Sequence, residues 1–201
     1  MKYINQLDYP HWPYITRTDM EDAEYQKGQK TTVRSSGCGL CAAVMVADQL
    51  LPNCTFELQH ALRLSYDMKA NHRKGTDYAR FAPAFADKLG LRLERTDDPQ
   101  RLLYCLQTGG AAVILVRGDR DGHIGLFSHS GHYITAIGLD EEGKVIILDP
   151  SLKDGKYDEP GREGKVTIQN DVILHCALAD VAEDSHSDTA QSISFSLFWR
   201  K

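Results

Sequence analysis

The apolar positions of this 201-residue chain change period once, near residue 110. Before that point they recur every three or four residues. In SSGCGLCAAVMVADQLLP, Leu40, Val44, Ala47 and Leu51 repeat at helical spacing and Pro52 stops the run. This predicts a buried or half-buried helix starting near Cys38. Thr55 is placed to cap a second helix through about residue 68, with Leu58, Leu62 and Tyr66 on one face. Thr76 is placed to cap a third over residues 77–89, closed by Gly90. Residues 91–95 suit a short strand. Asp98-Pro99 opens a fourth helix, with proline at its first position, that ends at Gly109-Gly110.

Beyond residue 110 the pattern is that of strands. Residues 111–116 read as a buried strand, and 118–130 as a polar loop containing glycine and histidine. Residues 132–139 and 144–148 form two strands around the turn 140–143. A weaker strand is expected at 165–169 and a final one in 192–200. The first 34 residues read as irregular, anchored by Tyr9, Trp12 and Tyr14, and the acidic stretch 180–188 reads as a solvated loop. Helices first and strands last, with no linker, repeat or low-complexity segment, predict a single α+β domain over residues 1–201.

Composition narrows the function classes. The chain is 42% apolar and 25% charged, with a net charge of −5 and an isoelectric point near 5.9. An acidic chain without a Lys/Arg stripe argues against nucleic acid or an anionic membrane surface as the main partner. The longest apolar stretches are strand-sized, and no apolar run follows Lys2, so a cytoplasmic location is expected. Five cysteines, at 38, 41, 54, 105 and 176, are an odd number and favour reduced thiols over a disulfide scaffold.

Chemistry concentrates on three positions. A thiol becomes a strong nucleophile as its thiolate, which a helix N-terminus favours through its dipole and free N–H groups. Cys38, between Gly37 and Gly39, has this place, and its own N–H is a candidate oxyanion donor. The glycines would let a substrate backbone approach and tolerate unusual backbone angles. Cys41 lies one turn on, on the packing side. His132 opens a strand of apolar and small residues directly after Gly131, and Asp149-Pro150 ends the next strand. If the hairpin pairs Leu139 with Lys144, Asp149 falls opposite Ile134 and on the face of His132, one diagonal step away. A carboxylate there fixes the imidazole tautomer and favours the imidazolium. A bulge at Gly143 would move it to the other face.

SSGCGLCAAVMVADQL and GHYITAIGLDEEGKVIILDPS together resemble the stand-alone relatives of the bacteriocin-leader (double-glycine) cysteine peptidases, which are papain-like. Those proteins show a Gly-Cys-Gly helix start, a Gly-His strand and then an Asp-Pro, in this order. The opening YINQLDYPHW is similar to the family's N-terminal segment, so the resemblance covers residues 3–150. It implies a papain-like α+β fold, its nucleophile helix packed on an antiparallel sheet. Cys38 would be the nucleophile, His132 the general base and acid, and Asp149 the orienting residue. Gln6 would be a side-chain oxyanion donor, with Gln29 and Gln26 as alternatives because thirty-one residues separate Gln6 and Cys38 along the chain. Leu40-Cys41 stands where many relatives carry Pro-Thr.

The implied function is hydrolysis of a peptide or small amide through a thioester, with no cofactor or metal. Acyl transfer to an amine is a variant of it. Three other readings stand beside it. Cys38-x-x-Cys41 is a redox motif. Cys38, Cys41, His129 and His132 have zinc-ligand types. A non-catalytic member of the fold would bind peptides. His123 and His129 are placed to line or gate a cleft, and His175 beside Cys176 reads as core filling. Oligomeric state and specificity carry no signature.

Overall fold

The computed structural model describes residues 1–16, 31–72, 75–186 and 192–201. A 3-10 turn at Gln6–Asp8 and a four-residue helix α1, Val33–Ser36, give regular structure to the N-terminal region expected to be irregular. The expected helix follows at once as α2, Cys38–Leu50. Its residues from Gly39 to Ala47 are all buried, so it runs through the interior.

Helix α3, Leu58–Asp67, starts later than expected. Glu57 caps it in place of Thr55, and the Glu57 N–H donates to His60 Nδ1 at 3.0 Å. A two-stranded hairpin, β1 Asn71–His72 and β2 Gly75–Thr76, precedes α4, Tyr78–Leu89. Asp77 caps α4 by accepting the Ala79 N–H. Thr76, the expected cap, spends its hydroxyl on Tyr14 at 2.8 Å inside the protein. Gly90 closes α4 with φ of 65°, a left-handed conformation that glycine adopts without steric cost. After strand β3, Leu91–Thr96, helix α5 spans Pro99–Gln107 with Asp98 as its cap.

The remaining strands are β4 Ala111–Val116, β5 His132–Leu139, β6 Val145–Leu148, β7 Val166–Gln169, β8 Ile173–Cys176 and β9 Phe195–Arg200. With β3 they form a seven-stranded antiparallel sheet in the order β3-β9-β4-β5-β6-β8-β7. The class is α+β. Helices α2 and α4 pack on one face with Val113 and Phe198. The other face packs α5 and the last helix, α6 Leu178–Ser185, against Ile114, Ile134 and Ile147. Burial on both faces explains why β4 reads as the unbroken apolar run AAVILV.

Strand β8 and helix α6 depart from the sequence reading. The acidic segment expected as a solvated loop is helical through Ser185, and residues 187–188 lie outside the described residues. Asp184 is fully buried there. It accepts the N–H groups of Leu126 and Phe127 at 2.7 and 3.2 Å and bonds His123 Nε2 at 2.7 Å. The loop before β5 supplies donors that let a carboxylate leave water. Among the described residues, no helix is long and apolar enough to cross a membrane.

Phe85 is central to the first core face, with Phe56, Phe81 and Phe198 at ring-centroid distances of 5.3, 5.9 and 5.2 Å. Phe85→Ala should lower unfolding free energy by about 3–5 kcal/mol. Tyr104→Ala, at an exposed position, should change it by under about 1 kcal/mol. Urea unfolding followed by far-UV circular dichroism checks both.

Candidate active site

Cys38 is the first residue of α2, partly accessible at its N-terminus. The His132 ring and the backbone N–H groups of Gly39 and Tyr133 are the groups whose dipoles and charge favour its thiolate. The unusual backbone angles expected of the flanking glycines are not found. Gly37 has an ordinary φ of −93°, and a Cβ on it would lie 2.6 Å from the Val33 carbonyl oxygen. A Cβ on Gly39 would lie 2.9 Å from the Tyr78 ring and 3.1 Å from Tyr133. Both are small because the protein itself crowds the start of the helix.

His132 begins β5 and is buried. Its Nε2 lies 2.8 Å from Asp149 Oδ1, and its ring acts on the Cys38 thiol. The register that brings Asp149 here combines two offsets. At the turn Leu139 pairs with Val145 and not with Lys144, a shift of one residue from the expected pairing. A bulge at Ile137, between Ala136 and Gly138, takes the shift back, so Thr135 pairs with Leu148. Continued one step, this register sets Asp149 opposite Ile134, as the sequence argument required. The bulge sits in β5, while Gly143 completes the turn at φ of 79°.

Asp149 has no solvent exposure. Oδ1 accepts from His132, from the Ser151 N–H at 2.8 Å and from the Ser151 hydroxyl at 3.1 Å. Oδ2 accepts from the Lys156 ammonium and, at 2.7 Å, from the Tyr157 hydroxyl. Its carbonyl accepts from Tyr3 at 2.7 Å. Burial opposes its charge, yet His132 and Lys156 outweigh that and hold the carboxyl far below the usual carboxylate range. Burial likewise disfavours the His132 cation, but Asp149 and the Cys38 sulfur raise its pKa to about 9. For Cys38, burial pushes the thiol up, and the hydrogen bond and charge of His132 with the two backbone donors bring it below its ordinary value.

Gln6 is tied to the residue after Asp149 and to the segment before Cys38. Its backbone N–H donates to the Pro150 carbonyl at 2.7 Å and its Nε2 to the Arg34 carbonyl at 2.8 Å, so the 3-10 turn joins the strand end at Asp149 to the segment leading into Cys38. Its Oε1 is buried without a partner. Gln26 and Gln29 lie outside the described residues.

The other candidate residues have separate duties. Cys41 is fully buried, and burial and the Cys38 charge push its thiol well up. His129 is exposed and bonds Asp119 and Glu159 at 2.9 and 3.0 Å. His123 is taken by Asp184. His175 lies against Asp140 at 2.6 Å, at the β5–β6 turn, so it is a polar anchor and not core filling. Among the described residues no group of three or more His, Cys, Asp or Glu side chains is arranged to hold a metal ion.

Sequence reasoning missed Ser151, Lys156 and Tyr157. They sit in a polar loop where a lysine reads as solvated, and only closeness to Asp149-Pro150 hinted at them. No family model matches the chain, and no curated protein matches it.

At pH 6, where ordinary thiols are protonated, iodoacetamide should label Cys38 alone. Cys38→Ala should abolish this labelling and Cys41→Ala should leave it, as read by peptide mass spectrometry. Equal loss in both variants would remove the distinction between the two thiols.

Proposed function

We propose that this chain is a cysteine peptidase or amide hydrolase of papain-like type, acting through Cys38, His132 and Asp149. The observation that carries this reading is the buried hydrogen bond from His132 Nε2 to Asp149 Oδ1 at 2.8 Å, with His132 acting on the Cys38 thiol so that the thiol is lowered and the imidazole raised. Opposed shifts of this kind favour a thiolate–imidazolium pair at neutral pH. The packing of α2 on the antiparallel sheet is consistent with a papain-like fold.

In this mechanism His132 takes the Cys38 proton and the thiolate attacks an amide carbonyl. The oxyanion faces the Cys38 N–H and the second N–H of the Gln6 amide. His132 returns the proton to the leaving amine. Water, deprotonated by His132, then hydrolyses the thioester, and no cofactor enters any step. An amine in place of that water would give acyl transfer through the same intermediate. The substrate class is a peptide or small amide. The buried, raised thiol of Cys41 weighs against a dithiol redox cycle.

The active pair exists between the Cys38 and His132 values. Turnover on a peptide library should therefore be bell-shaped in pH, falling on the acid side as Cys38 gains a proton. On the alkaline side it should fall near pH 9 as His132 loses one. Asp149→Ala should cut turnover by about 10²-fold or more while Cys38 remains alkylatable. Turnover equal to wild type would sink the triad.

A further inference from the structure

Lys156 is a cation placed where water does not reach. It is only 5% exposed, and its Nζ has three acceptors around it: Asp149 Oδ2, the Ser151 hydroxyl at 2.7 Å and the Ser151 carbonyl at 3.4 Å. Three acceptors match the three protons of an ammonium. Burying that charge is costly unless something in the protein uses it or balances it.

Charge counting around the site shows what it balances. A Cys38 thiolate, a His132 imidazolium and an Asp149 carboxylate together carry one net negative charge in a buried space. Lys156 brings the cluster to neutrality. When the thiolate charge passes to the substrate, the cluster becomes one unit positive, and the proton on His132 is then the one that can leave. We infer that Lys156 is a positioning residue of this site: its ammonium fixes Asp149 Oδ2, leaves Oδ1 for His132, and supplies the charge that eases proton return to the leaving group. This inference rests on the hydrolase reading above.

Other charged groups near Lys156 do not take over this role. Arg162 is buried beside it, but its Nε donates to the Gly125 carbonyl at 2.8 Å and its Nη1 pairs with Glu159 at 2.9 Å. Burial lowers the pKa of the Lys156 ammonium, Asp149 opposes that, and the charges of Arg162 and Lys153 lower it further. Tyr157 bonds the same Oδ2 as a neutral phenol that burial keeps protonated. His132 faces Asp149, Cys38 and the Ser151 hydroxyl.

The test uses the full chain, with Lys156→Gln, Lys156→Met and Lys156→Arg. The His132 ring is followed by NMR titration, Cys38 by the pH dependence of iodoacetamide alkylation, and folding by thermal melts. Gln keeps a hydrogen bond to Oδ2 without the charge. Met removes both, and Arg keeps the charge. Loss of the cation should raise the proton affinity of His132 about tenfold or more in the Gln and Met variants, with Arg close to wild type. A merely structural lysine would lower the melting temperature and leave the His132 midpoint in place. An unchanged or lowered midpoint in folded Lys156→Gln overturns the inference. Should Met fail to fold, Gln and Arg still decide it. A wild-type Cys38 no more reactive at pH 6 than a free thiol would instead overturn the hydrolase reading.

Discussion

A carboxylate with no access to water governs the architecture of this protein. Asp149 stands just past the end of β6 and is held by donors from three parts of the chain, two of which reach the carboxylate and the third its backbone carbonyl. Tyr3 comes from the N-terminal segment, His132 from the start of β5, and Ser151, Lys156 and Tyr157 from the loop after the strand. An unpaired charge at such depth would be severely destabilising, so each donor constrains the path of its own segment. The N-terminal segment, the central hairpin and the loop are thereby tied to one point. The nucleophile is tied to the same point through His132.

The electrostatic result is a graded series of groups. Asp149 is fixed as an anion and Lys156 stands against it, while His132 and Cys38 are drawn towards each other's proton affinity. Nothing comparable acts on the other buried thiols. Burial above all, with nearby carboxylates adding to it, pushes Cys105 and Cys176 up to about 12, and burial with the Cys38 charge raises Cys41 as well. Among the described residues, Cys38 is the one cysteine placed where both a helix N-terminus and a cation favour its thiolate.

The sequence made much of this legible where local chemistry and periodicity agreed. The helix start at Cys38, the strand opening at His132 and the Asp-Pro strand end each carry their signal within a few residues. The caps at Glu57 and Asp77 were each misplaced, because two neighbouring polar residues compete and tertiary contacts decide between them. Thr76 lost to Asp77 because Tyr14 takes its hydroxyl. Helix α6 was hidden by its acids: Asp184 looks like a surface residue until the loop at 125–127 offers it backbone donors. Lys156 was hidden for the same reason. Pattern reading assigns charge to solvent, and only the fold reveals which charges find partners inside.

The bulge at Ile137 makes the hairpin an exercise in parity. The turn alone would present Asp149 to the face that Thr135 shares with α2, and the extra residue restores it to the face of His132. Turn and bulge are therefore one unit of information split across two places in the chain. Insertions and deletions in this hairpin cannot be judged one at a time. A turn graft that looks neutral by length and loop chemistry rotates the carboxylate away from the histidine unless a compensating residue is added or removed in the strand. Variation along a lineage would have to respect the same arithmetic, with changes in the two places arriving together.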